Sequence, residues 1–135
     1  MAANAQSTPA LDKTIWAGRV LSGLVVIFLL MDSGMKLMRL PIVLETQAQL
    51  GYSGSVTLPL GVILLACTIL YAVPKTAVLG AILLTAYLGG AVATHVRIGS
   101  PLLSHTLFGV YLGAMLWGGL YLREARLRDL VPLRR

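Results

Sequence analysis

Cysteine is almost missing from this sequence: Cys67 stands alone, so no disulfide can form within the chain and a small disulfide scaffold is excluded. Thiol chemistry of the Cys-x-x-Cys kind has no second sulfur to use. Charge is scarce too, at 12% against about 25% in ordinary soluble domains. Only five side chains are acidic. Disordered chains combine low hydrophobicity with high charge, and this chain has neither property. It also lacks a Ser-His-Asp arrangement, a glycine-rich phosphate loop and a self-contained set of metal ligands. What fills the 135 residues is apolar: 57% are hydrophobic and the mean hydropathy is +0.83. That is the composition of a single-domain integral membrane protein.

A bilayer core of about 30 Å needs about 20 helical residues to cross it. Four segments qualify, near residues 14–38, 54–73, 76–96 and 102–122. The runs are continuously apolar, without the alternation of barrel strands. The expected fold is therefore all-α, a bundle of four transmembrane helices. Residues 1–13 read as a mobile N-terminal tail rather than a cleaved signal peptide, because the apolar run that follows is too long for a signal h-region. Val73-Pro74-Lys75 and Gly99-Ser100-Pro101 read as tight turns, since proline cannot continue a helix ladder. The longer first loop holds a short interfacial helix starting at Pro41 and ending before Gly51. Its pattern sets Leu44, Ala48 and Leu50 against Glu45, Gln47 and Gln49.

The net charge of +6 matters less than its distribution. Arg123, Arg126, Arg128, Arg134 and Arg135 crowd residues 123–135, a basic tail suited to anionic lipid. With Lys13, Arg19 and Lys75 they make eight basic residues on the side of the termini, against Lys36, Arg39 and Arg97 on the other. The positive-inside rule puts both termini in the cytoplasm, which for a bacterial chain means its inner membrane. Arg19 reads as a cation snorkelling to head groups. Insertion and topology account for the charge, so nucleic-acid binding is not expected.

Helices in lipid associate through close backbone approach. Gly109 with Gly113, Gly89 with Ala93, Ala86 with Gly90, and Gly18 with Ser22 are spaced for such contacts. The minority reading has a cofactor pressed against the Gly89–Gly90 face. Trp16, Tyr52, Tyr71, Trp117 and Tyr121 fall near span ends and read as interfacial anchors.

The ionisable groups converge. By span count, Asp32, Lys36, Glu45, His95, Arg97 and His105 share one membrane face and form the candidate ligand-binding set. Asp32 and Lys36 are spaced to pair on one helix face. Either they face a wet cavity as a functional pair, or they form a structural pair with Lys36 snorkelling outwards. Nearness to the surface tips the balance to the second. A histidine at position 95 suits a proton carrier, a metal or haem ligand, or a hydrogen-bond partner for a quinone-like head group. The ten-residue spacing of His95 and His105 matches no tight metal signature, so haem or metal ligation is not expected.

The run Gly89-Gly-Ala-Val-Ala-Thr-His-Val-Arg97, continued by Gly99-Ser-Pro-Leu-Leu-Ser-His105, resembles the DoxX-like family of small membrane proteins. So do Asp32-x-x-x-Lys36, Glu45, Leu50-Gly-Tyr52 and the ending Leu116-Trp-Gly-Gly-Leu-Tyr-Leu-Arg123. The resemblance spans about residues 16–133. It implies a four-helix inner-membrane protein related to the membrane subunit of a thiosulfate:quinone oxidoreductase, with family links to redox complexes and oxidative-stress defence. It carries over no catalytic residues.

Three functions compete. The leading one is an auxiliary subunit, not an enzyme on its own, of a quinone-linked redox module. Its outer polar pocket would take a quinone or oxyanion, and its partners would be the bilayer, a membrane or peripheral redox protein, and a second copy of the chain. The second is a transporter or channel for a small solute or protons, against which stands the lack of a broken or charged mid-membrane helix. The third is a scaffold whose polar cluster ties loops together.

Overall fold

A computed structural model describes residues 9–132. All its regular structure is helical. Helix α1 (Pro9–Leu37) opens on a proline suited to a first helical position. Its start lies ahead of residue 14, so residues 9–13 belong to the helix and not to a tail; residues 1–8 lie outside the described ones. Arg39, with φ 50°, breaks the path, and Leu40 is extended as a residue before proline must be. Helix α2 (Pro41–Gln49) follows. It ends where Gly51, at φ 89°, lets Tyr52 N–H reach back to the Gln47 carbonyl at 2.9 Å.

Helix α3 (Thr57–Ala72) stops at Val73, extended ahead of Pro74. One tight turn over Pro74–Thr76 joins it to α4 (Ala77–Ile98), and Thr76 Oγ1 donates to the Leu70 carbonyl at 2.7 Å. Gly99, at φ 72°, closes α4 with Ser100 N–H on the His95 carbonyl. Both short connections are where the prolines place them. The start of the fourth apolar segment differs from expectation: residues Leu102–Thr106 form a wide π-helical turn, and α5 (Phe108–Arg123) is only 16 residues long, about 24 Å. Three helical stretches, Lys13–Leu37, Gly54–Ala72 and Pro74–Ile98, are long and apolar enough to cross a membrane. The basic tail also folds: α6 (Ala125–Leu130) buries Leu127, while Arg128 Nη1 donates to the Tyr121 and Leu122 carbonyls at 2.7 and 3.0 Å. Residues 133–135, with Arg134 and Arg135, lie outside the described ones.

The long helices close a square. α1 packs on α3 and α5, and α4 packs on the same two. The core runs through Val25, Leu29, Leu64, Leu84, Leu116 and Leu120, all nearly fully buried. Only 22%, 33% and 28% of the residues in the three apolar windows are buried, so most of their side chains keep some exposed surface. Glycines set the contacts. A Cβ on Gly18 would stand 2.7 Å from the Gly119 carbonyl, and one on Gly109 3.0 Å from the Leu88 carbonyl. A Cβ on Gly80 would run into the Tyr71 backbone. Gly18, Ser22 and Gly109 are thus contacts as their spacing suggested. Gly89, Gly90 and Gly113 are not, since a Cβ on any of them meets nothing within 4 Å.

The aromatic residues divide. Trp16 is exposed, with the Arg19 guanidinium 5.6 Å from its ring. Tyr71 is not an interfacial anchor: it is fully buried, and its hydroxyl donates to the Leu116 carbonyl at 2.6 Å and meets Ser22 Oγ at 2.8 Å.

A candidate ligand-binding cavity

α2 lies across one end of the square, the end where α1 finishes and α5 begins. Beneath it is a cavity of about 600 Å³, within the about 300–1,000 Å³ range of small-molecule sites. α1 contributes Phe28, Leu29, Asp32 and Lys36, residues that repeat at one helix face. α4 contributes a second stripe with Tyr87, Gly90, Ala91, Thr94 and His95. Thr46 and Gln47 come from α2, and Leu50 and Tyr52 from the segment after it. Ser104 and His105 enter from the π-helical turn, and Phe108, Gly109 and Leu112 from α5.

The polar groups gather at the loop end. Lys36 Nζ donates to Asp32 Oδ2 at 2.7 Å. Lys36 is 8% exposed, so the pair turns into the bundle and the lysine does not snorkel outwards. The tyrosine and threonine hydroxyls have fixed roles. Thr94 Oγ1 donates its single proton to the Gly90 carbonyl at 2.8 Å; Tyr52, 2.8 Å from that oxygen, must therefore donate to it. Both histidines are held through Nδ1, His95 by Ser100 Oγ at 2.9 Å and His105 by Ser104 Oγ at 2.7 Å. Their rings meet edge to face with centroids 6.0 Å apart, and neither Nε2 is tied up in these bonds. Deeper in, Phe28 and Phe108 lie 5.4 Å apart, tilted by 56°, beside Leu29 and Leu112.

Gln47 stands out chemically. It is 7% exposed, and its Oε1 is buried with no hydrogen-bond partner. Such an orphaned acceptor costs about 1–3 kcal/mol. Thr57 Oγ1 is similarly placed at the first turn of α3, away from the cavity lining. Burial on α2 falls on Val43 and Gln47, one turn apart, so the inward face of this helix is not the one its pattern suggested.

Asp32, Lys36, His95 and His105 thus line one cavity. Glu45 is exposed on α2, outside the lining. Arg97 is exposed too, and Nη2 donates to the Leu50 carbonyl at 2.9 Å, tying α4 to the segment after α2. Among the described residues, no group of three or more His, Cys, Asp and Glu side chains is gathered as for a metal ion.

A family model described as the DoxX-like family matches residues 20–119. The chain belongs to the DoxX-like family. No curated protein and no solved structure matches it. The stretch matched in this DoxX-like protein includes the whole cavity wall, from Phe28 to Leu112. The candidate set does not include Gln47, Tyr52, Tyr87 and Thr94, polar residues that also line the cavity. Tyr87, Thr94 and His95 are spaced seven and eight residues apart along α4, one helix face, and that polar stripe was the available signal. Nothing in the sequence marked Gln47, since its burial depends on how α2 lies on the bundle. Ala86 and Gly90, spaced for a helix contact, line the cavity instead.

Proposed function

We propose that this DoxX-like protein crosses a bacterial inner membrane four times with both termini in the cytoplasm, and that its outer cavity binds the head group of a quinone-type amphiphile on behalf of a membrane redox module. Residues 102–123 would form the fourth crossing, the π-helical turn adding length to α5. The distribution of basic residues supports the orientation.

One observation carries the ligand reading: the cavity wall is amphipathic. Its loop end is lined by Asp32, Lys36, Gln47, Tyr52, His95 and His105, and its inner end by Phe28, Leu29, Phe108 and Leu112. A flat ring would slide between the aromatic side chains, and its polar edge would meet the hydrogen-bonding groups. Such division of an apolar pocket with a few convergent polar groups is the usual form of a small-molecule site. Transport gains no support from the packing, since the core leucines fill the centre of the square.

Gly90 and Gly89 provide the test. A Cβ at either meets nothing within 4 Å, but of the two only Gly90 lines the cavity. Gly90→Phe should fill the cavity and Gly89→Phe should not. Titration of purified protein with a short-chain quinone should show binding in wild type and Gly89→Phe, and loss in Gly90→Phe. Equal binding by both variants would move the ligand elsewhere, and no binding by wild type would favour a scaffold.

A further inference from the structure

We infer that the cavity selects head groups that donate a hydrogen bond, a phenol rather than its ether, and that Gln47 reads the hydroxyl. The inference rests on the proposed use of the cavity as a ligand site.

Three acceptors among the lining residues lead to it. Gln47 Oε1 is buried without a partner. Tyr52 has its proton committed to Thr94, because Thr94 has already given its own to the Gly90 carbonyl; its oxygen can only accept. Asp32 engages Lys36 through Oδ2, which leaves Oδ1 outside the ion pair. All three residues line the cavity. The lysine cancels the charge of the aspartate, so these three acceptors carry no net charge that would demand a cation. An ether oxygen arriving at Gln47 Oε1 meets another acceptor, which cannot bond to it, whereas a hydroxyl supplies the missing proton. The last torsion of a glutamine is broad, so a small turn of the Gln47 amide brings Oε1 to an incoming hydroxyl. A site built around unsatisfied polar groups rejects the analogue that leaves them unpaired.

The probes are para-heptylphenol and its methyl ether, which share size and apolar tail and differ in one proton. Neither is a redox couple, so binding is read alone. Calorimetric titration of the full chain in detergent should give about tenfold or tighter binding of the phenol. Gln47→Leu, close in volume, should lower that preference to about threefold or less while leaving ether affinity unchanged; Gln47→Met serves if the leucine variant does not fold. Equal affinity of wild type for both probes overturns the inference and leaves the ligand-site reading standing. A preference that survives both substitutions overturns the role of Gln47. Failure of wild type to bind the phenol, the ether or a short-chain quinone overturns the ligand-site reading and the inference with it.

Discussion

Replacing Tyr71 with phenylalanine removes one oxygen from the middle of a three-helix relay. Arg123 Nε donates to Ser22 Oγ at 3.1 Å, Ser22 and Tyr71 hydroxyls are 2.8 Å apart, and Tyr71 donates to the Leu116 carbonyl at 2.6 Å. Because the tyrosine proton is spent on Leu116, the serine proton must point at Tyr71. The relay therefore joins α1, α3 and α5, and every hydroxyl in it has one fixed job. Tyr71 is 0% and Ser22 6% exposed, so water cannot replace the lost partner. Two interhelical bonds at the about 0.6 kcal/mol average of membrane proteins set a floor near about 1.2 kcal/mol. The stranded serine donor raises the expected loss to about 2–3 kcal/mol. No cavity term enters, since the ring stays. Reversible unfolding in mixed micelles on titration with sodium dodecyl sulfate measures the loss. In a double-mutant cycle with Ser22→Ala, the two changes should be worth less together than the sum of each alone. A Tyr71→Phe loss under about 0.5 kcal/mol, the range of an ordinary surface change, would refute the relay as a stabilising element.

Two further substitutions test packing and charge. Gly80→Ala drives a Cβ into the Tyr71 backbone and should cost about 3 kcal/mol or more as overpacking without a flexible neighbour to yield; Gly113→Ala, facing open space, should be neutral or slightly stabilising in the same unfolding assay. Lys36→Met strands the Asp32 carboxylate beside the cavity. Breaking a fully buried pair costs about 3–5 kcal/mol, but the 35% exposure of the Asp32 side chain scales this to about 1–2 kcal/mol. Adding Asp32→Asn should restore most of the loss in the thermal melt, and an unrestored melt would show that the lysine stem, not its charge, does the stabilising.

The turns between the helices are legible in the sequence, whereas the starts of α1 and α5 and the faces of the helices are not. Pro74, Pro101, Gly51 and Gly99 punctuate the chain by local backbone rules, and the structure turns at each of them. Gly18, Ser22 and Gly109 announce close contacts by one-turn spacing. Gly80 and Gly61 make equally tight contacts without a spaced partner to mark them. Helices that are apolar almost all round carry no stripe that separates the side facing lipid from the side facing neighbours, which is why Tyr71 read as an anchor although it is buried. The same ambiguity hid most of the cavity wall. Asp32, Lys36, His95 and His105 were legible because ionisable groups in apolar segments are rare. Gln47 was assigned to the polar side of α2, and Phe28 and Phe108 were two more apolar side chains until α1 and α5 brought them together. Glu45 and Arg97 share the membrane face of the cluster by topology, yet topology fixes only the end of the bundle, not which side chains turn inward.

The most direct test of the cavity as a ligand site is native mass spectrometry on protein extracted from its own membrane in mild detergent, comparing wild type with Gly90→Phe and Gly89→Phe. Wild type and Gly89→Phe should carry the same retained small molecule, aromatic and hydroxyl-bearing, and Gly90→Phe should come through without it. The same molecule retained in equal amount by Gly90→Phe would contradict the account.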